Sequence, residues 1–381
     1  MVSNKLFDET NSSNPWLIDI RKDELLIDDT GNKLSSSYIW SKQGAEREKL
    51  VQWVFAHYRQ KGFPFPKLSE EELLKKFGKL KTLTSAFDEK SGILKNSNSQ
   101  GLDILKHFCG ELFYCTKADG GRSTLEVFHD DELLLKVLKN RMGWCSTTED
   151  GTERPFVFGM TDAMLIQGIR SSGLAKSISQ FKISVAQSLY KMYCPLGGTI
   201  LDFSAGWGAR ALAAASLGYF YYGIDPLTAD CLNKMMLFFN SGNGWIVKGK
   251  SEDKNIYQSI PEVDFVFSCP PYFSMERFSI ENSQCYNAYP DYSDWLNQYW
   301  QPTVKNCLDK LRSGGYFCFV IIDRYKEDMV KVCEDLGLHY FNIIDLSTSK
   351  SHLSGKRESG LTTKNTEAAV VLTKSNLTKE V

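Results

Sequence analysis

The chain has 381 residues, of which 42% are hydrophobic, 24% charged and 13% aromatic, and this composition excludes a disordered, collagen-like or coiled-coil protein. Because a single hydrophobic core seldom grows past roughly 250–300 residues, the length predicts two domains. The 45 basic and 46 acidic side chains give a net charge of -1, which excludes strong, salt-driven adhesion to nucleic acid as the main mode of binding.

The ten cysteines are scattered, with no CxxC pair and no histidine cluster beside them. Zinc sites need paired ligands at close spacing, so we predict no metal site. The first residues lack the apolar segment of a signal peptide, and no apolar run approaches the roughly 18–20 residues of a membrane span. Since many cysteines without an export signal are typical of a reducing compartment, we expect free thiols, a cytoplasmic protein and no membrane partner.

Residues 1–165 predict a mixed, largely helical domain that carries no motif of known chemistry. Apolar and aromatic residues recur at helical spacing over 45–60, and Ser69 precedes three glutamates as the N-cap of a second helix. A loop rich in serine and asparagine is predicted over 91–100, and another helix over 130–139.

Residues 166–381 form the second predicted domain, in which strands and helices alternate from about residue 176, as they do in a parallel α/β sheet. Helices are predicted over 184–193, 208–217, 229–239, 293–311 and 326–336. Seven strands are predicted over 199–203, 219–224, 245–247, 263–268, 316–322, 339–344 and 368–372. We expect the last two strands to close as a hairpin.

The first predicted strand runs into a glycine-containing turn, Asp202-Phe203-Ser204-Ala205-Gly206-Trp207-Gly208. Gly206 and Gly208 let backbone N–H groups approach a ligand, and the following helix N-terminus adds a partial positive charge. Asp225 ends the next strand, where doubly wound folds bind a ribose. The third glycine of the dinucleotide fingerprint is absent, which favours a smaller nucleoside ligand, although a tight turn with solvated carboxylates stays open.

The fourth predicted strand ends in Cys269-Pro270-Pro271-Tyr272. Because proline has no N–H, the carbonyls of Cys269 and Pro270 remain free to hold an amino group, and Tyr272 can stack on the attached ring. A proline turn with core aromatics is the alternative. The first and fourth strands flank the point where the strand order reverses, so both motifs open onto one crevice.

The two motifs together resemble those of the S-adenosylmethionine-dependent methyltransferases that modify exocyclic amines of DNA, which carry a DxFxGxG loop and a [DNS]PP[YF] turn. The resemblance spans roughly residues 176–373, and the stretch 180–186 is similar to the helix that packs against the methionine end of the cofactor. It implies an α/β fold with a Rossmann-like seven-stranded methyltransferase sheet and S-adenosylmethionine as cofactor.

The resemblance also implies a reaction and the residues that perform it. The reaction is direct methyl transfer to adenine N6 or cytosine N4 of a flipped-out DNA base, as in bacterial or phage restriction–modification. The catalytic residues are Cys269, Pro270, Pro271 and Tyr272. The implied cofactor-binding residues are Phe181, Asp202, Ser204, Ala205, Gly206, Gly208, Asp225, Ser251 and Glu252.

Two departures from the family pattern leave alternatives open. Cys269 stands where the family has Asp, Asn or Ser, and Lys250 stands where an acidic residue is common. A cysteine is a weak hydrogen-bond partner, so the choice between adenine and cytosine stays open. It also keeps open carbon-5 methylation of cytosine through a thiolate. RNA methylation at guanine N2 and a catalytically inactive binding module are further alternatives.

Contacts with the polynucleotide are expected from an aromatic segment and a basic one. Aromatic and arginine side chains suit stacking on displaced bases, and a mobile basic loop suits phosphate contacts. The candidate substrate-binding residues are Phe273, Arg277, Tyr286, Tyr289, Lys356 and Arg357. By elimination, sequence recognition falls to residues 1–165.

Overall fold

The structure is a computed structural model that describes residues 24–117, 120–143, 145–147, 153–155, 159–239, 242–279, 281–347 and 367–375. The contacts of the chain divide it into two compact units. The first comprises residues 1–73 and 124–175, and the second comprises residues 74–123 and 176–381. The domain boundary at 165/166 stays a prediction, and residues 74–123 group with the second unit.

The described helices are short to medium in length. In chain order they are α1 (Ser36–Ser41), α2 (Gly44–Lys61), α3 (Glu70–Leu80), α4 (Leu102–Phe108), α5 (Thr124–His129), α6 (Asp131–Gly143), α7 (Asp162–Ser171), α8 (Ile183–Tyr193), α9 (Ala209–Leu217), α10 (Ala229–Phe238), α11 (Cys285–Ala288), α12 (Tyr292–Asp294), α13 (Gln301–Lys310) and α14 (Asp323–Asp335). Turns of 3₁₀ type cover Gly110–Tyr114 and Lys254–Ser259. Within the described ranges, no helix combines the length and the apolar composition that a membrane crossing requires.

The described strands are, in chain order, β1 (Phe87–Asp88), β2 (Ile93–Lys95), β3 (Thr116–Lys117), β4 (Cys145–Thr147), β5 (Glu153–Pro155), β6 (Thr199–Asp202), β7 (Phe220–Ile224), β8 (Gly244–Val247), β9 (Val263–Ser268), β10 (Glu276–Arg277), β11 (Leu311–Ile322), β12 (Leu338–Ser347) and β13 (Glu367–Lys374). Nine of these form one sheet in the order β1-β2-β12-β13-β11-β9-β6-β7-β8. The small antiparallel pairs β3–β10 and β4–β5 lie outside that sheet.

The first unit is mainly helical, as predicted, and the helices predicted over 45–60 and 130–139 are confirmed as α2 and α6. Its core is formed by buried side chains that include Val54, Tyr58, Leu134, Leu138 and Leu165. Helix α7 begins at Asp162 because the Thr161 side chain accepts a hydrogen bond from the Met164 N–H at 3.1 Å. Asp162 in turn accepts a hydrogen bond from Tyr58 at 3.1 Å, which ties α7 to α2.

Helix α3 begins with the predicted cap. The Ser69 hydroxyl accepts a hydrogen bond from the Glu72 N–H at 3.2 Å, and the Glu72 carboxylate accepts one from the Ser69 N–H at 2.9 Å. This reciprocal pair satisfies two of the N–H groups that a helix start leaves without a partner.

All seven predicted strands are present in the second unit as β6, β7, β8, β9, β11, β12 and β13. Strands β8, β7, β6, β9 and β11 run parallel, and β13 lies antiparallel between β11 and β12. The predicted hairpin and the Rossmann-like α/β fold are therefore confirmed. Because β13 is antiparallel to β11, its first residue lies at the edge where the parallel strands end.

The sheet has two strands more than the seven predicted. Residues 91–100, predicted as a loop, include β2, which pairs with β1 and lies parallel to β12. Two- and three-residue strands carry no periodicity in the sequence, so only their pairing with the sheet edge defines them. The helix predicted over 293–311 also differs, because Leu311 already begins β11 and pairs with Val263. Its segment Trp295–Trp300 has π-helical turns that bury both tryptophans.

A disulfide joins Cys109 and Cys231, whose Cα atoms are 5.6 Å apart, so the prediction that the thiols are free is wrong for this pair. The two residues are 122 positions apart, and no spacing rule connects them. A carboxylate oxygen of Glu111 lies within 4.8 Å of both sulfur atoms. The bond links the end of α4 to α10, the helix that follows Asp225.

Candidate functional site

The loop after β6 rests on the buried carboxylate of Asp202. Asp202 accepts hydrogen bonds from Arg210 Nε at 2.6 Å, from the Tyr221 hydroxyl at 2.6 Å and from the Ser268 hydroxyl at 2.7 Å. These bonds tie the end of β6 to α9, β7 and β9. Asp202 is not among the residues that line the cleft above it, so it supports the loop, and the cofactor contact that the resemblance implied stays a prediction.

Arg210 is buried with Asp202 and completes this support. Burial by itself lowers the pKa of the Arg210 guanidinium, but the neighbouring groups, led by the Asp202 carboxylate, outweigh burial and raise the pKa. The same guanidinium donates a hydrogen bond to the carbonyl of Ser204. One charged pair therefore fixes both the strand end and the loop that follows it.

The two glycines of the loop have different roles. Gly206 and Gly208 both adopt left-handed conformations, with φ of 56° and 84°. A Cβ on Gly208 would come within 2.4 Å of Leu232 Cδ2, so this glycine allows α9 to pack closely on α10. A Cβ on Gly206 would meet nothing nearer than 3.7 Å. Open space therefore lies beside the backbone of Gly206, which lines the cleft, while Gly208 lies outside the lining.

Asp225 connects the loop to the start of α10. One carboxylate oxygen accepts the Gly206 N–H at 2.9 Å, and the other accepts the N–H groups of Leu227 at 2.9 Å and Thr228 at 2.8 Å. Burial raises the pKa of Asp225, and these hydrogen bonds act in the opposite direction. The carboxylate thus organises the cleft at the end of β7, the place where the sequence predicted ribose binding.

The turn after β9 presents Cys269, Pro271 and Tyr272 to the same cleft, with Pro270 buried beneath them. The Phe273 N–H donates to the Pro271 carbonyl at 2.8 Å, whereas no turn amide of the described residues donates to the carbonyls of Cys269 or Pro270. These two carbonyls keep the acceptor capacity that the sequence predicted.

Phe273 follows the turn in a strained conformation. Its φ of 51° makes it the one non-glycine residue with positive φ among those described. The ring packs against Tyr292 and Trp295, with centroid distances of 5.4 and 6.0 Å, and does not line the cleft. Tyr272 is therefore the aromatic ring of the turn that faces the cleft.

Most of the predicted cofactor and catalytic residues line this one cleft. They are Phe181, Ser204, Ala205, Gly206, Asp225, Ser251, Glu252, Cys269, Pro271 and Tyr272. Asp202, Gly208 and Pro270 support the cleft from outside its lining. Two elements separated by more than 60 residues, the loop after β6 and the turn after β9, therefore converge as the sheet topology predicted.

Sequence reasoning missed two glutamines in the lining. The side chains of Gln180 and Gln284 are only 7% and 6% exposed, and neither Nε2 atom has a partner among the described residues. A buried donor without a partner costs about 1–3 kcal/mol, so both amides point to a ligand that accepts hydrogen bonds. Gln284 belongs to no motif, whereas Gln180 begins the stretch 180–186 that the resemblance places at the methionine end of the cofactor.

The predicted substrate-binding residues that the structure describes do not line the cleft. Tyr286 stabilises its own segment, because its hydroxyl donates a hydrogen bond to the Ser279 carbonyl at 2.9 Å and accepts one from the Phe278 N–H at 2.7 Å. Tyr289 donates to a Glu252 oxygen at 3.4 Å, and the backbone of Arg277 pairs with β3. Lys356 and Arg357 lie outside the described residues.

No protein-family profile matches the sequence, and no curated protein does. The structure is similar to TrmN from Thermus thermophilus, with 15% identity and a TM-score of 0.36 over 50% of this chain and 48% of that one. It is similar to a TehB-like SAM-dependent methyltransferase from Corynebacterium glutamicum, with 17% identity and a TM-score of 0.35 over 56% and 96% of the two chains. It is also similar to Aeropyrum pernix fibrillarin with natively bound S-adenosyl-L-methionine, with 17% identity and a TM-score of 0.32 over 49% of this chain and 73% of that one.

The match therefore spans about half the length of TrmN. Similarity at this level adds nothing to the topology described above. By its own strand order and its antiparallel β13, the sheet is a Rossmann-like α/β sheet of the methyltransferase type.

Proposed function

We propose that this protein transfers the methyl group of S-adenosylmethionine to an exocyclic amine of a DNA base, adenine N6 or cytosine N4. The observation that carries the proposal is the convergence of the Gly206 loop and the Cys269–Tyr272 turn on one cleft. In this cleft, the loop is suited to bind a nucleoside and the carbonyls of the turn are suited to bind an amine, and both face the same space.

The chemistry of the cleft fits the proposed cofactor. Gly206 offers an open backbone, Asp225 and Glu252 offer carboxylates for hydroxyl and amino groups, and Gln180 and Gln284 offer unpaired donors. When bound, S-adenosylmethionine supplies an electrophilic methyl group on a sulfonium. Ser204, Gly206, Asp225, Ser251 and Glu252 are the residues that we assign to holding it.

The contribution of the chain itself is to position the amine. One of the free carbonyls of the turn, that of Cys269 or Pro270, accepts an N–H of the amine, which leaves the nitrogen lone pair directed at the methyl carbon. Tyr272 stacks on the base and excludes water from one of its faces. In this scheme the reaction is a direct transfer without a covalent enzyme intermediate.

Cys269→Ser is expected to keep methyl transfer within about 10-fold of the wild type. Burial raises the pKa of Cys269 to about 12, although the charge of Arg210 acts to lower it, so the thiol is protonated at neutral pH. A carbon-5 mechanism needs the thiolate as nucleophile and would lose essentially all activity with serine. The measurement is transfer of labelled methyl from the cofactor, and complete loss in a folded variant would favour the carbon-5 alternative.

Gln284→Leu is expected to weaken binding of S-adenosylhomocysteine by up to about 10-fold while raising the stability of the free protein. Both effects follow from removing a buried donor that has no hydrogen-bond partner among the described residues. Calorimetry and thermal unfolding measure them, and Gln298→Leu, an exposed site, is the control. Unchanged affinity would contradict a ligand role for Gln284.

We assign sequence recognition to residues 1–165, with Arg277, Tyr289, Lys356 and Arg357 as further DNA contacts, in a cytoplasmic restriction–modification setting. Sequencing DNA from cells that express the protein, with detection of modified bases, tests this assignment. A methylated base in one recurrent sequence context is the expected result, and unmodified DNA would contradict it.

The direct test incubates the protein and labelled S-adenosylmethionine with DNA and RNA side by side, followed by nucleoside analysis. Label in N6-methyladenine or N4-methylcytosine of DNA is expected. Label in RNA alone, as N2-methylguanine, would replace DNA with the RNA alternative. Absence of S-adenosylhomocysteine from every reaction would instead indicate a catalytically inactive module.

A further inference from the structure

The proposed reaction needs a second acceptor beside the turn. A target amine carries two N–H groups, and a backbone carbonyl of the turn satisfies one of them. The side chain at the first position of the turn is that of Cys269, whose sulfur accepts hydrogen bonds weakly. An amine held in a closed cleft with its second N–H unsatisfied would incur a desolvation cost.

Glu367 lies beside the turn. It is the first residue of β13 and pairs with Ile322 and Leu346, which places it at the edge where the parallel strands end. It lines the cleft together with Cys269 and Tyr272. No motif predicted this residue, because β13 enters the site only through the antiparallel arrangement of the last strands.

A chain of hydrogen bonds links Glu367 to the turn. The Tyr272 hydroxyl donates to Glu367 Oε1 at 3.2 Å and lies 3.6 Å from Cys269 Sγ. Oε2 of Glu367 receives no hydrogen bond from the described side chains and loops. One oxygen is thus fixed by the tyrosine, and the other keeps its acceptor capacity beside the turn. Glu276 also lines the cleft.

We propose that Glu367 accepts the second N–H of the target amine and takes its proton when the methyl group is transferred. The proposal rests on the proposed function of the same cleft and adds a catalytic carboxylate from β13. The tyrosine of the turn orients this carboxylate in addition to stacking on the base.

The amine nitrogen uses its lone pair to bond the methyl carbon of the sulfonium donor, and the carbon–sulfur bond breaks with its electron pair left on sulfur as a thioether. The N–H bond then breaks, its electron pair returns to nitrogen, and the proton passes to the Glu367 carboxylate. Release of that proton to water restores the ionised side chain.

The test compares Glu367→Gln and Glu367→Ala with the wild type on the nucleic acid and base identified in the transfer assay. Glutamine keeps an acceptor for Tyr272 but cannot take a proton, so kcat is expected to fall about 100-fold. Affinity for S-adenosylhomocysteine, measured by calorimetry, is expected to stay within about 2-fold, which also shows that the variant is folded. Glu334→Gln, an exposed site on α14, is the matched control.

Two readouts separate this role from a structural one. Added formate, a small carboxylate, is expected to raise the rate of Glu367→Ala by at least about 10-fold, because it replaces the proton acceptor. The wild type is expected to bind an oligonucleotide with the target base about 10-fold more tightly than one whose base lacks the amine (purine or 2-pyrimidinone), and Glu367→Gln is expected to lose this preference.

Wild-type kcat in Glu367→Gln would overturn the role of Glu367 while leaving the proposed function intact. A slow Glu367→Ala that formate does not accelerate, or an unchanged preference for the amine in Glu367→Gln, would also overturn it. No transfer by the wild type to any nucleic acid would overturn the proposed function, and the role of Glu367 with it.

Discussion

Asp202→Asn is expected to lower the free energy of unfolding by about 3–5 kcal/mol. The substitution leaves the buried guanidinium of Arg210 without its countercharge, and the ion pair that it breaks has an N–O distance of 2.6 Å. An amide also cannot accept all the hydrogen bonds that Asp202 takes from Arg210, Tyr221 and Ser268. Chemical denaturation measures the change.

Asp230→Asn is the matched control, because the same substitution there breaks an exposed ion pair with Lys248 at 2.8 Å. In that pair the side chains are 70% and 59% exposed, and a surface pair contributes at most about 1 kcal/mol. Equal losses in the two variants would contradict the role of Asp202 as a buried support. A loss confined to Asp202→Asn would show that the first acidic residue of the loop motif acts through the fold.

The sequence predicts most of the sheet because the seven main strands are apolar runs bounded by turn residues. Runs such as 263–268 bury nearly every side chain, so their composition alone identifies them. Strands β1 and β2 could not be predicted, because five residues in two short segments carry no period and depend on the edge of β12. The disulfide could not be predicted for a related reason, since its two cysteines meet only after the chain has folded.

The candidate site was predictable where a motif imposes backbone geometry. The glycines after β6 and the prolines after β9 restrict φ or remove donors, and such effects can be seen in sequence letters. Gln284 and Glu367 reach the same cleft by packing and strand order, which no letter pattern encodes. Asp202 shows the same limit, because a motif does not reveal which of its residues will be buried. Its position in the motif suggested ligand contact, whereas its burial places it in the support beneath the loop.

Tyr272→Ala is expected to lower kcat/KM for nucleic acid by about 100-fold, since stacking on a base contributes about 1–3 kcal/mol and the ring also orients the amine. Binding of S-adenosylhomocysteine is expected to change by less than about 3-fold, because the cofactor residues of our proposal lie on other loops. Transfer assays and calorimetry on the same preparation give both values.

The controls for Tyr272 separate the ring from its hydroxyl and from lost packing. Tyr272 belongs to a buried cluster, so removal of the ring also destabilises the fold by about 3–5 kcal/mol, and activity is compared at temperatures where both proteins are folded. Tyr272→Phe keeps the ring and removes only the hydrogen bond to Glu367, so we expect about a 10-fold loss. Tyr340→Ala, at a site 51% exposed on β12, is expected to leave turnover unchanged. Full turnover in Tyr272→Ala would contradict the stacking role, and equal losses in Tyr272→Phe and Tyr272→Ala would assign the whole effect to the hydroxyl and thereby to Glu367.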